Sequence, residues 1–221
     1  MSLAAWWSHE MARRSKRGTA ARQLRLLEEL RPVLRAEVAP ERMLRSVATV
    51  LAGSGDYCIA DVIDAHGRMR RVEIAHADPS RREKLRVAAQ DTSHTHDGRV
   101  ARLLHSGSSE IVPAVTRALA GERLADIVLL RGERLRSYMA AAVSVSGSPM
   151  AVLTMATTHL DRVFGAADLA FLDVVADWTG LGLENALRRE LQPRASVAPP
   201  VSVEHSTLGN LDVHRPSRMR S

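Results

Sequence analysis

The sequence has a single cysteine, Cys58, among its 221 residues. It therefore cannot form an intramolecular disulfide, and a catalytic cycle that needs two thiols on one chain is excluded. No apolar run approaches the ~18 residues that a membrane-spanning helix needs. The apolar stretch at residues 1–7 has no leading positive charge and is followed at once by polar residues, so we do not expect a secretory signal. These absences favour a cytoplasmic protein.

Motifs of the common catalytic classes are also missing. The sequence contains no Gly-x-Ser-x-Gly elbow, no P-loop and no glycine-rich dinucleotide turn after a strand. His94, His96 and Asp97 could supply metal ligands from one loop, but a transition-metal site usually needs three or four ligands and no second cluster accompanies them. We expect a solvated loop there, no metal and no enzymatic activity.

Positive charge is concentrated at the two ends of the chain. The formal net charge is +6, yet residues 23–191 hold equal numbers of basic and acidic side chains. Attraction to nucleic acid or to an anionic membrane would therefore come from the ends. Trp6 and Trp7 lie near a basic cluster and could insert at a membrane surface, but this segment has few apolar residues. We expect neither nucleic acid nor a membrane to be the main partner.

The pattern of apolar residues divides the chain into three parts. Residues 1–21 are basic and lack a sustained period, which predicts a flexible segment. Apolar residues recur every three to four positions from Arg22, which predicts the first helix of a domain over residues 22–191, with Pro32 expected to kink it. Residues 192–221 are rich in Pro, Ser and Arg without periodicity, which is typical of a disordered tail.

Two predicted hairpins frame the domain, one over residues 56–77 and one over residues 136–158. Each has apolar strands on either side of a turn, at 64–67 and at Gly147-Ser148-Pro149. The segments between the hairpins predict helices at 80–89, 99–104 and 113–131 and a short edge strand at 110–112. We expect an α+β fold, with an antiparallel sheet of five or six strands and helices 22–38 and 166–191 packed on one face.

The order of these elements resembles a GAF domain, the small-molecule sensing module of bacterial signalling proteins. The resemblance rests on LRSYMAAAVSVSGSPMAVLTMATTHLDRVFGAADLAFLDVVADWTGLGLENAL, residues 135–187, and on DYCIADVIDAHGRMRRVEIAHADPSRREK, residues 56–84. It covers residues 22–191 and is strongest for the subtype found before histidine kinase cores. No kinase helix follows residue 191, since the sequence breaks at Gln192-Pro193, so we expect a stand-alone domain.

The resemblance implies a ligand pocket between the sheet and the segments that cover its outer face. The Asn-Lys-Phe-Asp-Glu signature of the cyclic-nucleotide type is absent, and Cys58 lies in the first strand, which is not the setting for bilin attachment. The simpler interpretation of Cys58 is a small buried hydrophobic residue. We place the candidate site at His76, Tyr138, Cys58 and Met139, with a modest, mostly apolar ligand of unknown identity. For His76, packing against the next helix is the alternative.

The last predicted helix has two apolar faces. One face is a seam with coiled-coil-like spacing, and the other contains Phe171, Val174 or Val175, Trp178 and Leu181. Since one face must cover the sheet, a second face suggests a partner helix, and the resemblance implies a bundle across a twofold axis. A single wide buried face is the alternative. We predict a homodimer with an interface that includes Leu169, Leu172, Trp178 and Leu183.

Two functions fit these features. The first is a non-enzymatic sensor that binds a small molecule or a partner protein and relays the signal through dimeric terminal helices to a separate signalling protein. The second is a scaffold or localisation protein whose pocket is empty and whose basic tails bind partners. A retained ligand would distinguish the first from the second.

Overall fold

An antiparallel sheet forms the centre of the protein. The structure is a computed structural model that describes residues 3–36, 39–53, 57–64, 68–89, 99–115 and 135–191. Within these residues the sheet has five strands, in the spatial order β2-β1-β5-β4-β3. They are β1 (Tyr57–Ile63), β2 (Met69–His76), β3 (Ser109–Val112), β4 (Ser137–Val145) and β5 (Ser148–Thr157). The predicted α+β class and the two hairpins are confirmed, and β3 is the expected edge strand.

Five helices accompany this sheet in the described part of the chain: α1 (Leu3–Ala36), α2 (Pro40–Ala52), α3 (Pro79–Ala89), α4 (Arg99–Ser106) and α5 (Ala166–Leu191). Pro40 begins α2 at a position where its missing N–H is not needed, and Glu41 follows in the first turn. The N–H of Gly165 donates to the Asp168 carboxylate at 2.9 Å, so an acidic side chain fixes the start of α5.

Turn chemistry fixes the register of both hairpins. Ser146 and Gly147 both have positive φ, as a two-residue type I′ turn requires, and they connect the paired residues Val145 and Ser148. The second turn therefore lies one residue earlier than predicted. In the first hairpin the N–H of Asp64 donates to the Arg68 carbonyl oxygen at 2.8 Å. In return the Arg68 N–H donates to the Asp64 carboxylate at 2.9 Å.

Three helices, α1, α2 and α5, cover one face of the sheet, which we call the helix face. The main apolar core lies between them, with fully buried residues from α1, α2, β1, β4, β5 and α5 in one cluster, among them Leu30, Met43, Ala60, Leu153 and Leu172. A Cβ atom at Gly180 of α5 would overlap the Ser144 carbonyl oxygen of β4. Glycine at this position therefore lets the helix lie directly on the strand backbone.

The N-terminal helix is longer than the sequence predicted. It begins at Leu3 rather than at Arg22 and continues through Pro32 to Ala36. Residues 3–21 contain no proline and only one glycine, so they can be helical without the apolar period on which the prediction relied. The predicted helix at 113–131 and the tail 192–221 lie largely or wholly outside the described residues. Within the described residues, no helix has the length and apolar character needed to cross a membrane.

Candidate functional site

The opposite face of the sheet, which we call the outer face, has a different composition. The strand registers place one residue from each of the five strands in a row across one end of this face. In spatial order from β3 to β2 the row contains Val112, Tyr138, Ala156, Tyr57 and His76. Two phenol rings and an imidazole thus lie in one row, whose other members, Val112 and Ala156, are apolar. Val115 and Leu135 pack against this row.

His76 lies at the β2 end of this row. Its Nδ1 accepts a hydrogen bond from the Asp78 N–H at 2.7 Å, so the proton of the neutral ring lies on Nε2. Nε2 is buried and has no hydrogen-bond partner among the described residues. The imidazole ring lies edge-on to the Tyr57 ring, with centroids 4.4 Å apart. In the following turn the Ser80 hydroxyl and N–H donate to Oδ1 of Asp78 at 2.8 and 2.9 Å, and these hydrogen bonds lower the pKa of that carboxyl.

Tyr138 connects the row to the edge of the sheet. Its ring is buried, and its hydroxyl donates to Oε1 of Glu110 at 3.3 Å. Glu110 is on β3, where the register pairs it with Ala140, so the carboxylate belongs to the outer face as well. Among the described residues, the phenols of Tyr57 and Tyr138, the Glu110 carboxylate and the His76 imidazole are the polar groups at this end of the outer face. Hydrogen bonding is the chemistry that they offer.

A buried ion pair lies farther along the same face. Nε of Arg71 is 2.8 Å from Oδ1 of Asp61 and Nη2 is 3.4 Å from Oδ2, so the guanidinium engages both carboxylate oxygens. The side chains of Arg71 and Asp61 are only 6% and 1% exposed. The sequence had shown Asp61 only as an interruption of an apolar strand. Its partner was missed because the irregularity after Ala60 shifts the register that a regular hairpin would have.

Helix α4 covers the middle of the outer face. Val100, Leu103 and Leu104 form a buried cluster with Ala140 of β4 and Val152 of β5. The small side chains at 140–142 would leave room for a ligand if nothing covered them. Ala140 instead accommodates α4, and Ala141 belongs to the core on the helix face.

Cys58 and Met139 do not join His76 and Tyr138. Both belong to the core cluster on the helix face, and they are 0% and 1% exposed. Burial raises the pKa of the Cys58 thiol well above its usual range, and the nearby carboxylates of Asp61 and Glu73 add to this effect. The four predicted residues therefore do not form one site, because successive side chains of a strand point to opposite faces.

The predicted dimer interface is also divided by the structure. Leu172 and Leu183 are buried in the core of the same chain, and Leu169 packs against that core, so the seam they define covers the sheet. Trp178 is 40% exposed, and Val174 and Leu181 are 41% and 61% exposed. Val174, Trp178 and Leu181 of the second apolar face are thus left at the surface, whereas Phe171 packs against the core. The alternative of a single wide buried face is therefore wrong.

The predicted loop with His94, His96 and Asp97 lies outside the described residues. Among the residues that are described, no group of three or more His, Cys, Asp or Glu side chains could hold a metal ion.

Comparison with known proteins gives matches in structure only. No protein-family model and no curated protein matches the sequence. The structure is similar to the GAF domain of a phosphoenolpyruvate-protein phosphotransferase from Coxiella burnetii, with a TM-score of 0.59 and 15% identity over 77% of this chain and 98% of that chain. It is also similar to the phycoerythrobilin-bound GAF domain of a cyanobacterial phytochrome, with a TM-score of 0.56 and 11% identity over 77% and 99% of the two chains.

A third similar structure is an enzyme. Free methionine-R-sulfoxide reductase from Neisseria meningitidis, in complex with its substrate, has a TM-score of 0.55 and 15% identity over 75% of this chain and 92% of that chain. These three proteins have different activities and share one architecture, so the similarity applies to the fold and not to the chemistry. Together with the sheet order and the helices on one face, it shows that the chain has the fold of a GAF domain.

Proposed function

We propose that this protein is a non-enzymatic sensor domain that binds a small, mostly apolar molecule at the outer face of its sheet. The observation that carries this proposal is the buried Nε2 of His76, which has no acceptor among the described residues. A buried donor without a partner costs free energy in the absence of a ligand, and a ligand that accepts its hydrogen bond would recover that cost. Tyr138, in the same row, supplies a second polar contact.

The charges of the outer face argue against a phosphate-rich ligand. Such a ligand would favour converging arginines or a helix N-terminus. Among the described residues of this face, Arg71 already engages both carboxylate oxygens of Asp61, so binding a phosphate there would disrupt a buried ion pair. A ligand with one or two hydrogen-bond acceptors fits better.

The position of Cys58 argues against thiol chemistry. It is the only cysteine of the sequence, it lies on the helix face, and burial keeps its thiol protonated. A reductase of the kind to which this fold is similar would need an accessible thiolate and a resolving thiol. We therefore propose regulation by binding and not turnover.

Native mass spectrometry of the purified protein, together with its absorption spectrum, tests the ligand proposal. We expect a bound small molecule that the His76→Ala variant retains at lower occupancy. His105→Ala is the matched control, because His105 is exposed at the end of α4. An empty protein that forms a stable complex through its basic ends would favour a scaffold role instead.

We further propose that the signal passes through α5 in a homodimer to a separate signalling protein. The exposed residues Val174, Trp178 and Leu181 are separated by four and then three positions, which is the spacing of a helix–helix seam. The buried side of the same helix lies on β4, where Gly180 is next to the Ser144 carbonyl. A change in the sheet would therefore shift the exposed seam.

Replacing Trp178 with Asp tests the dimer. We expect association to weaken by at least about tenfold, because a charge would enter an apolar seam, while the fold remains intact. Leu183→Asp is the contrasting variant, and it should unfold the domain because Leu183 is buried within the chain. Sedimentation that shows a monomer at all concentrations for the unaltered protein would contradict the dimer.

A further inference from the structure

A cavity on the helix face is separate from the candidate site on the outer face. It has a volume of about 290 Å³ and lies between α2, the last turns of α5 and the ends of β1, β4 and β5. Its wall is formed by apolar side chains: Leu44, Val62, Val145, Ala151, Leu183 and Leu187. Met150 lines it as well and is 37% exposed, so the cavity is accessible from solvent.

The charged groups around this cavity are already paired with one another. Nη2 of Arg70 is 2.5 Å from Oε1 of Glu41, and Nη2 of Arg45 is 3.7 Å from Oε2 of the same carboxylate. Asp64 pairs with Arg68, with Nε 3.1 Å from Oδ2. A charged ligand would have to compete with one of these pairs, whereas an uncharged ligand leaves all of them intact.

We propose that this cavity binds an uncharged, compact apolar molecule of roughly nine to twelve non-hydrogen atoms. The size follows from the volume, since a dry apolar cavity of about 150 Å³ holds one benzene molecule. The lining follows the pattern of small-molecule sites, which are mostly apolar with a few polar groups at the entrance. This site goes beyond the ligand proposed for the outer face, and neither site depends on the other.

Occupancy of the cavity would stabilise the position of α5. Leu183 and Leu187 contribute to its wall and lie on the helix that carries the exposed residues Trp178 and Leu181. A bound molecule adds contacts between α5, α2 and the sheet. The last turns of α5 would then be held more firmly against the domain, and the cavity becomes a second input to the same output helix.

An amide NMR titration with indole, an uncharged molecule of suitable size, tests this proposal. We expect saturable shifts for Val62, Ala151 and Leu183, and none for Tyr57 or His76 on the outer face. Val62→Phe fills the cavity and should weaken binding at least tenfold. Val112→Phe, at a half-buried valine of the outer face, is the matched control and should change affinity less than twofold. Indole-3-carboxylate should bind at least tenfold more weakly than indole.

Three results would overturn the proposal. They are the absence of saturable binding, shifts confined to the outer face, or unchanged affinity in Val62→Phe. If Val62→Phe does not fold, Leu187→Phe takes its place, because Leu187 is only partly buried at the cavity wall. Indole-3-carboxylate binding as tightly as indole would contradict the uncharged ligand class. Of these results only the shifts confined to the outer face concern that face, and they would show binding there instead of excluding it, so the proposed function can fail or succeed independently.

Discussion

The two faces of the sheet differ in what they contain and in what covers them. The helix face is apolar, with Cys58, Met139 and Leu153 packed beneath three helices. The outer face carries an ion pair between Asp61 and Arg71, together with tyrosines and a histidine. Both faces are largely buried in the described residues, so burial alone does not explain the difference.

We interpret the difference as a division of roles, in which the helix face supports the fold and the outer face is the one that we propose for recognition. An apolar face is sufficient to hold helices, and polar groups there would only add desolvation costs. Polar groups on the outer face carry those costs and must be paired or find partners. Asp61 and Arg71 pair with each other, whereas Nε2 of His76 has no partner among the described residues. This contrast is why we assign the ligand to the end of the face with His76.

The largest effect that we expect is from breaking the buried ion pair of the outer face. Asp61→Ala should lower the free energy of unfolding by about 3–5 kcal/mol, because it leaves the Arg71 guanidinium buried without a counter-ion. Urea denaturation measures this change. Glu41→Ala is the matched control, because its ion pair with Arg70 is about half exposed, and it should cost about 0–1 kcal/mol.

A double variant distinguishes the loss of the ion pair from the loss of side-chain packing at Asp61. Asp61→Leu combined with Arg71→Met should be more stable than Asp61→Ala, because no charge is then left unpaired. If Asp61→Ala and Glu41→Ala lowered the free energy of unfolding by the same amount, solvent would have to reach the Asp61–Arg71 pair. The contrast between the two faces would then be much weaker than we describe.

On the helix face, the expected effect comes from close packing and is smaller. Gly180→Ala should lower the free energy of unfolding by about 1–3 kcal/mol, because the new methyl group overlaps the Ser144 carbonyl oxygen, which cannot rotate away. Gly18→Ala should change the free energy of unfolding in the opposite direction. A Cβ there meets no atom within 4 Å, so alanine should stabilise by up to about 1 kcal/mol through helix propensity. Calorimetric melting of both variants measures the difference, and a stabilised Gly180→Ala variant would contradict the close contact.

The smallest expected effect concerns the reactivity of Cys58 and leaves stability unchanged. Burial raises the pKa of this thiol, and only the thiolate reacts rapidly with a maleimide. Labelling of the native protein should be at least about 100-fold slower than labelling in urea, because it must wait for the domain to open. Rapid labelling of the folded protein would place Cys58 at an accessible surface. Cys58 would then again be a candidate for the binding site.

Much of the fold could be predicted because local signals specify it. Alternation of apolar residues in the strands and residues typical of turns identified both hairpins. The predicted helix at 99–104 corresponds to α4, which continues to Ser106 before Gly107. The start of α1 could not be predicted from the spacing of apolar residues, since residues 3–21 form a helix without a regular apolar spacing. Helical propensity was the signal that the sequence offered.

The candidate site was predicted only in part because a strand with two apolar faces does not reveal which face the helices cover. Strand alternation places Cys58 and Tyr57 on opposite faces of β1, yet the predicted site took residues from both sides of the sheet. The same ambiguity affected α5, where the seam with Leu172 and Leu183 proved to be the core. Tertiary packing decides between two such faces, and one strand or helix does not carry that information.

The central claim is that the outer face binds a ligand through His76 and Tyr138. Thermal-shift screening of uncharged and singly charged metabolites, compared among the unaltered protein, His76→Ala, Tyr138→Phe and the control His105→Ala, tests it most directly. A ligand stabilises the folded state by mass action, so we expect a compound whose shift is eroded in His76→Ala and Tyr138→Phe and preserved in His105→Ala. Strong stabilisation by cyclic nucleotides, with a shift that neither substitution at the outer face alters, would contradict the claim.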